Sequence, residues 1–325
     1  MRVLTNTTWV AGREIAGRAA AAVSPRGARL LAFWRYDAAL LNIESRWLLV
    51  ICALKKLMPW ARCRILSVDL ILTHPRGLTG QLAFRVRRWL LREVDRFVLY
   101  YRDTAELRAV YGIPAERVKY VPFKVNTRDL VLATPVTDDG FFLSCGRSNR
   151  DYRTLYAAFR GLPYHCFVLV SQAEAEAHGT RVDGAECPPN VTLVADDGSA
   201  VSWNAWIARA HAVVLPIQPG RLSPSGIGTY LVAMALGKCV VITESAATRG
   251  ILDDRHAVLV PPSDAGALRE AVTRVAEDRD LRERTARGGR EYALSLGGDE
   301  RLERDIVREL GDLMAPQASP ALQPV

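Results

Sequence analysis

Residues 212–262 read AVVLPIQPGRLSPSGIGTYLVAMALGKCVVITESAATRGILDDRHAVLVPP. An apolar run, Ala212–Leu215, stops at Pro216. A loop rich in Pro, Gly and Ser follows, then a helix-patterned segment from about Ser225 to Leu236. Gly237 closes that helix, and a β-branched run, Cys239–Thr243, begins at once. Strand, small-residue loop, helix and strand in this order make the βαβ unit of a parallel sheet. Ser225, Gly226, Gly228 and Thr229 open the helix, so their backbone N–H groups lie at the positive end of its dipole and suit a phosphate. Close backbone packing is the competing explanation for the glycines. Lys238 follows the helix and reads as a donor to its last carbonyls.

Upstream, Phe141–Ser144, Phe167–Ser171 and Val191–Val194 read as strands and Ser202–Arg209 as a helix. The loop Gly146-Arg147-Ser148-Asn149-Arg150-Asp151 joins the first of these strands to a helix. It should emerge at the carboxyl edge of the sheet, where ligands of α/β folds bind. Guanidinium groups there fork two N–H bonds onto phosphate oxygens. Asp151 or Asn149 serves equally as a helix cap, with the arginines in water. Two helices follow Ser263, one with Leu268, Ala271, Val272 and Val275 and the other with Leu302, Ile306, Leu310 and Leu313 at helical spacing. Asp278-Arg279-Asp280 between them reads as an N-cap.

Residues 1–125 alternate the same two patterns, with strands expected at Arg2–Thr5, Arg29–Trp34, Arg64–Leu72, Arg96–Tyr101 and Arg117–Pro122. Helices are expected near Ile43–Met58, Gly80–Glu93 and Thr104–Tyr111. This is an α/β chain with a doubly wound sheet in each half. Residues 126–139 show no core period and are assigned to a linker. The expected domains are therefore 1–125 and 140–314, with a disordered Pro- and Ala-rich tail at 315–325.

The net charge of +8 is unevenly spread. Residues 1–125 hold 22 Lys and Arg against 9 Asp and Glu, a net of +13, whereas residues 126–325 have a net of −5. A basic half suggests an anionic partner: a membrane surface, a phosphorylated acceptor or nucleic acid. The six cysteines show no metal-binding or redox spacing, and Cys145, Cys166 and Cys239 read as small buried hydrophobes of a reducing compartment. No His, Cys, Asp or Glu cluster has metal spacing, so no metal is expected. The N-terminus lacks a signal-peptide core, and the longest apolar span, Trp47–Leu54, is too short to cross a bilayer.

The small-residue loop, the string AMALGK, the strand after it and HAVLVPPSDAGALREAV (256–272) resemble the C-terminal half of GT-B glycosyltransferases of the family 4 type. The resemblance implies two Rossmann-like domains facing a central cleft. It implies transfer of a sugar from a nucleotide-diphosphate sugar, UDP- or GDP-type, as co-substrate with no cofactor, to a lipid-linked, secondary-metabolite or cell-envelope acceptor. Family members carry two Glu eight residues apart across this loop and helix. Here those positions fall at Pro224 or Ser225 and at Val232 or Ala233, so both carboxylates are missing. The resemblance makes Gly146, Arg147, Ser148 and Arg150 a donor-diphosphate loop, with Ser225, Gly226, Gly228 and Thr229 its partner. Glu244, at the end of the Cys239–Thr243 strand, is the candidate substitute for the ribose contact, or else the cap of the next turn.

In the first half, His74 follows an apolar strand in THPRG and stands as candidate base or acceptor contact, or as a turn histidine before Pro75. Asn6 and Thr7 end the first strand and are expected to face the cleft. Asp69, mid-strand, reads as structural. Trp47–Arg64 and Phe84–Arg92 mix Trp and aliphatics with Lys55, Lys56, Arg87, Arg88 and Arg92. They are either ordinary amphipathic helices on the sheet or helices lying on an anionic membrane. The chain is expected to be cytoplasmic, and the membrane reading places it peripherally at the inner face. Two other readings remain: a degenerate scaffold of the same fold, allowed by the missing Glu pair, and a nucleic-acid binder, disfavoured because the arginines are dispersed without a binding motif.

Overall fold

The computed structural model describes residues 1–43, 45–75, 77–170, 180, 182–220, 222 and 224–315. It divides into two compact units. Unit 1 comprises residues 1–99, 105–121 and the chain from Glu303; unit 2 comprises 100–104 and 122–302.

Unit 1 contains β1 (Arg2–Thr5), a hairpin of β2 (Glu14–Ile15) and β3 (Arg18–Ala19), β4 (Ala21–Val23), α1 (Ala28–Leu31) and β5 (Ala38–Asn42). It continues with α2 (Ser45–Leu57), β6 (Arg64–Val68), α3 (Gly77–Leu90), β7 (Arg96–Leu99), α4 (Ala105–Tyr111) and β8 (Val118–Tyr120). Its parallel sheet has the order β4-β1-β5-β6-β7-β8.

Unit 2 contains α5 (Arg128–Ala133), β9 (Phe142–Cys145), α6 (Tyr152–Phe159), β10 (Cys166–Val170), β11 (Val191–Ala195), α7 (Ala200–Arg209) and β12 (Ala212–Leu215). Then come α8 (Ile227–Ala235), β13 (Cys239–Thr243), β14 (Val258–Val260), α9 (Ala265–Glu277) and α10 (Arg279–Ser295). The order β11-β10-β9-β12-β13-β14, all parallel, reverses direction between β9 and β12. Ligands of doubly wound folds bind at such a switch point. Successive strand residues feed opposite faces: Leu143, Val213, Leu215 and Val240 pack in one cluster, and Phe142, Ala212, Val214 and Val241 in the other. Burial on both faces is why these strands read as continuous apolar runs.

Three expectations are corrected. The run Arg29–Trp34 is no strand: α1 and a 3-10 turn at Phe33–Arg35 occupy it. Only Leu30 and Phe33 are buried there, at helical spacing, while Leu31 and Trp34 are exposed. The strand is Ala38–Asn42, buried from Ala38 through Leu41. Residues 126–139 are not a linker, because α5 lies within them and Val131 enters the unit 2 core. The last helix, α11 (Asp299–Met314), begins in unit 2 and belongs to unit 1 from Glu303, so 140–314 is not one unit. There Glu303 pairs with Arg13 at 2.7 Å and Glu309 with Arg96 at 2.8 Å. The acidic helix thus neutralises part of the basic half.

All six cysteines are free, and burial pushes the thiols of Cys52, Cys63, Cys145 and Cys239 up to about 12. They are inert fillers of the core.

Candidate functional site

The loops after β9 and β12 meet at the switch point of unit 2. Gly146 turns the chain out of β9 at φ +110° and Asn149 follows at φ +53°. Asp151 caps α6, accepting from the Thr154 N–H at 3.2 Å and its hydroxyl at 2.7 Å. The loops are laced together. The Asp151 N–H donates to the Pro216 carbonyl, the Gln218 N–H to the Asn149 carbonyl, and Asn149 Nδ2 to Ser225 Oγ at 2.7 Å.

Arg150 is the unusual residue. It is 1% exposed, and among the described residues no carboxylate meets it. Nε donates to the Cys145 carbonyl at 2.9 Å, Nη1 to the Ser148 carbonyl at 2.9 Å and Nη2 to Thr229 Oγ1 at 3.1 Å. Burial pushes its pKa down, yet a guanidinium stays charged at neutral pH. A Cβ on Gly146 would collide with this guanidinium, and its φ also excludes ordinary side chains. The glycine is therefore what admits the arginine. A buried cation that meets only neutral oxygens among the described residues favours an anion alongside.

The second loop delivers α8. Gly226, at φ +97°, is its N-cap, and no side chain caps the helix. The first-turn N–H groups lack intrahelical acceptors by geometry. A cleft of about 400 Å³ opens here. Gly146, Arg147, Ser148, Arg150, Gly226, Gly228 and Thr229 line it, so seven residues proposed from sequence share one cavity. Ser225 lies just beneath, 7% exposed.

Other lining residues were not anticipated. Asn126 and Thr127 come from the segment taken as a linker; Asn126 packs so close to Gly228 that a Cβ there would lie 2.8 Å from its Nδ2. Asp196, Gly198, Ser199, Ala200, Trp203 and Asn204 come from the turn after β11 and the start of α7. Ser199 caps α7. Asn204 is 1% exposed, and its Nδ2 has no partner among the described residues. The string DDGS between a strand and a helix carried the signal for this third loop.

Val232 faces the cleft whereas Ala233 is core, so an apolar side chain occupies one of the two positions considered for the second Glu. The structure does not bring Glu244 to this lining. It ends β13, exposed, with its N–H on the Val260 carbonyl. The Lys238 backbone N–H donates to the Ala233 carbonyl in the last turn of α8 at 3.0 Å, while its side-chain amine donates to the Thr137 carbonyl. Asp278 caps α10, as its position suggested.

The remaining candidates lie in unit 1. His74 Nε2 is 3.1 Å from Glu106 Oε1 in the first turn of α4. Asn6 Nδ2 donates to the Asn42 carbonyl at 2.8 Å and its Oδ1 accepts from the Asn42 N–H at 2.9 Å. The Thr7 N–H donates to Thr5 Oγ1. These bonds tie the ends of β1 and β5, and Asn6 is a clamp between loops. Lys55 and Lys56 are not open to a partner: they pair with Asp95 at 3.0 Å and Glu93 at 2.7 Å. Arg87 is half-buried, while Arg88 and Arg92 are exposed. Among the described residues no group of three or more His, Cys, Asp or Glu is placed to hold a metal ion, and no helix is long and apolar enough to cross a membrane.

The sequence profile described as Glycosyl transferases group 1 matches residues 157–278. An alpha-D-kanosaminyltransferase of Streptomyces kanamyceticus is 24% identical over 290 residues, spanning 78% of this chain and 74% of that protein. The sucrose-phosphate synthase of Thermosynechococcus elongatus superposes with a TM-score of 0.67 at 18% identity, over 88% of this chain and 76% of the other. Anabaena HepE, solved with UDP and glucose, gives 0.66 at 13% identity, over 90% and 86%. A glycosyltransferase of Rickettsia africae gives 0.64 at 12% identity, over 88% and 79%.

Proposed function

For a chain that is a group 1 glycosyltransferase of GT-B architecture, we propose that the unit 2 cleft holds the diphosphate of a nucleotide sugar, UDP- or GDP-type. The observation that carries this is Arg150, a buried guanidinium that meets no carboxylate among the described residues, beside a helix N-terminus at a topological switch point. HepE has been solved with UDP and with UDP-glucose, which supports a nucleotide sugar here.

In this reading Arg147 and the amides at Gly226–Thr229 grip the diphosphate, with Arg150 supplying charge from below. As the sugar departs, negative charge grows on the diphosphate, and donors already in place stabilise it without reorganising. Protein groups carry that charge, and no resident cofactor is required. Val232 offers the ribose no acceptor, so its hydroxyls turn to Asn204 or the turn at Asp196–Ser199. Unit 1 receives the acceptor. Its basic character favours an anionic, lipid-linked or cell-envelope acceptor over a polycation, and a cytoplasmic, peripheral location fits such a substrate.

Titration calorimetry with UDP and GDP in EDTA tests the donor half. One of them should bind, and Arg147→Ala should weaken binding by about 1.5–3 kcal/mol, as for a hydrogen bond to a charged group. Unchanged affinity in Arg147→Ala, or binding only with added metal, refutes the assignment.

A further inference from the structure

We propose that the unit 2 cleft selects guanosine among nucleotide donors, with Asp196 reading the base and Trp203 stacking on it. This deepens the donor assignment above and rests on it. The argument begins with distance inside one sheet. The two loops proposed for the diphosphate follow β9 and β12, which are neighbours, whereas the turn Asp196–Ser199 follows β11. β11 lies two strands from β9, about 9–10 Å at one ladder spacing per strand. A ribose and its base span that distance. A nucleotide whose diphosphate lies on the first two loops therefore lays its base against the third. All three loops line the same cleft.

The third loop offers an aromatic face and a charge. Among the described lining residues Trp203 is the one aromatic side chain and Asp196 the one carboxylate. Trp203 is half-buried and packs against the core, which holds its indole in place for stacking. A two-ring purine covers more of an indole than a one-ring pyrimidine does. Asp196 is half-buried, and its Oδ1 accepts the Gly198 N–H at 3.0 Å in a turn that Gly198 closes at φ +77°. Among the described residues no Lys or Arg pairs with it. A carboxylate in a cleft built for phosphate repels that phosphate, so its place there needs a donor from another part of the ligand. Guanine brings two side by side, N1–H and an N2–H, and a carboxylate accepts both at once as it does from arginine. Uracil has one ring N–H with a carbonyl on each side, so the second carboxylate oxygen would face a carbonyl oxygen. Adenine sets a ring acceptor beside its amino group and meets the same repulsion. With the base taken by Asp196, the ribose hydroxyls fall to Asn204, which lines the same cleft.

The test is titration calorimetry of the full-length protein in EDTA with GDP, UDP, ADP and inorganic pyrophosphate. GDP should bind about tenfold or more tighter than UDP or ADP, the worth of one extra hydrogen bond to a charged group. Asp196→Asn should erase that preference and create one for xanthosine diphosphate, whose C2 carbonyl accepts from the new amide N–H while its N1–H meets the amide oxygen. A misfolded variant gains no ligand, so this gain separates base reading from a structural role. Trp203→Leu should weaken GDP by about fivefold or more through lost stacking. UDP binding as tightly as GDP, or Asp196→Asn keeping the GDP preference, overturns the proposal. Pyrophosphate has no base and keeps the two assignments apart: Arg147→Ala should weaken it and Asp196→Asn should not. If pyrophosphate responds to Arg147→Ala while the bases are not distinguished, the donor assignment stands and this one falls. If neither pyrophosphate nor any nucleotide binds, both fall.

Discussion

The two units share one architecture and fill their switch points differently. In unit 1 the ends of β1 and β5 are closed by a reciprocal amide pair, Asn6 with Asn42. In unit 2 the ends of β9 and β12 frame a cleft over Arg150 and the open N-terminus of α8. Unit 1 belongs to the basic half of the chain, and some of its cations, Lys55, Lys56, Arg64 and Arg96 among them, are paired with carboxylates. Unit 2 belongs to the acidic half, yet buries a cation where an anion is wanted. Strand order creates a crevice. A few side chains decide whether it is tied shut or charged, and net charge by domain does not locate the charge that matters.

The comparison breaks most sharply at Gly146. Gly146→Ala sets a Cβ against the Arg150 guanidinium at a φ suited to glycine. Strain and overpacking together should cost about 2–5 kcal/mol of stability, read from urea unfolding, and abolish nucleotide binding. A variant as stable as the parent would mean that Arg150 does not need this site.

A carboxylate sharpens the contrast from the other unit. Burial pushes Asp69, at the end of β6, up to about 6. The folded state then holds its proton more tightly than the unfolded chain. Stability falls as pH rises through the window from about 4 to about 6, and the full cost remains above it. Asp69→Asn should therefore stabilise the protein by about 1–3 kcal/mol at pH 7, with the gain vanishing below about pH 4. Unfolding curves at both pH values decide this, and a gain equal at both rules it out.

The smallest effect is expected at the clamp. Asn6→Ala removes two hydrogen bonds at an exposed loop and should cost about 1 kcal/mol of stability, leaving UDP or GDP affinity unchanged. A loss of nucleotide affinity would show that the unit 1 crevice serves the donor after all.

Much of unit 2 was legible. The run Cys239–Thr243 is the strand observed, because strands buried on both faces carry no alternation to confuse. The two loops that line the cleft were legible because they set small residues between a strand and a helix. The Arg29–Trp34 run was misread because a short apolar run looks alike in a strand and in a helix that buries one edge. Residues 126–139 looked like a linker because α5 offers the core little more than Val131.

Local order settled by itself most of the strands, which loops carry glycine and arginine, and that the chain is a doubly wound α/β protein. Those properties follow from side-chain period and backbone freedom over a few neighbouring residues. Tertiary structure alone decided which arginine is buried, since that depends on Gly146, Thr229 and Gly226 converging from distant loops. It alone showed that Lys55 and Lys56 are spent on Asp95 and Glu93 about forty residues away. Charge is written into a sequence residue by residue, but its compensation is a matter of distance, and only the folded chain sets distances.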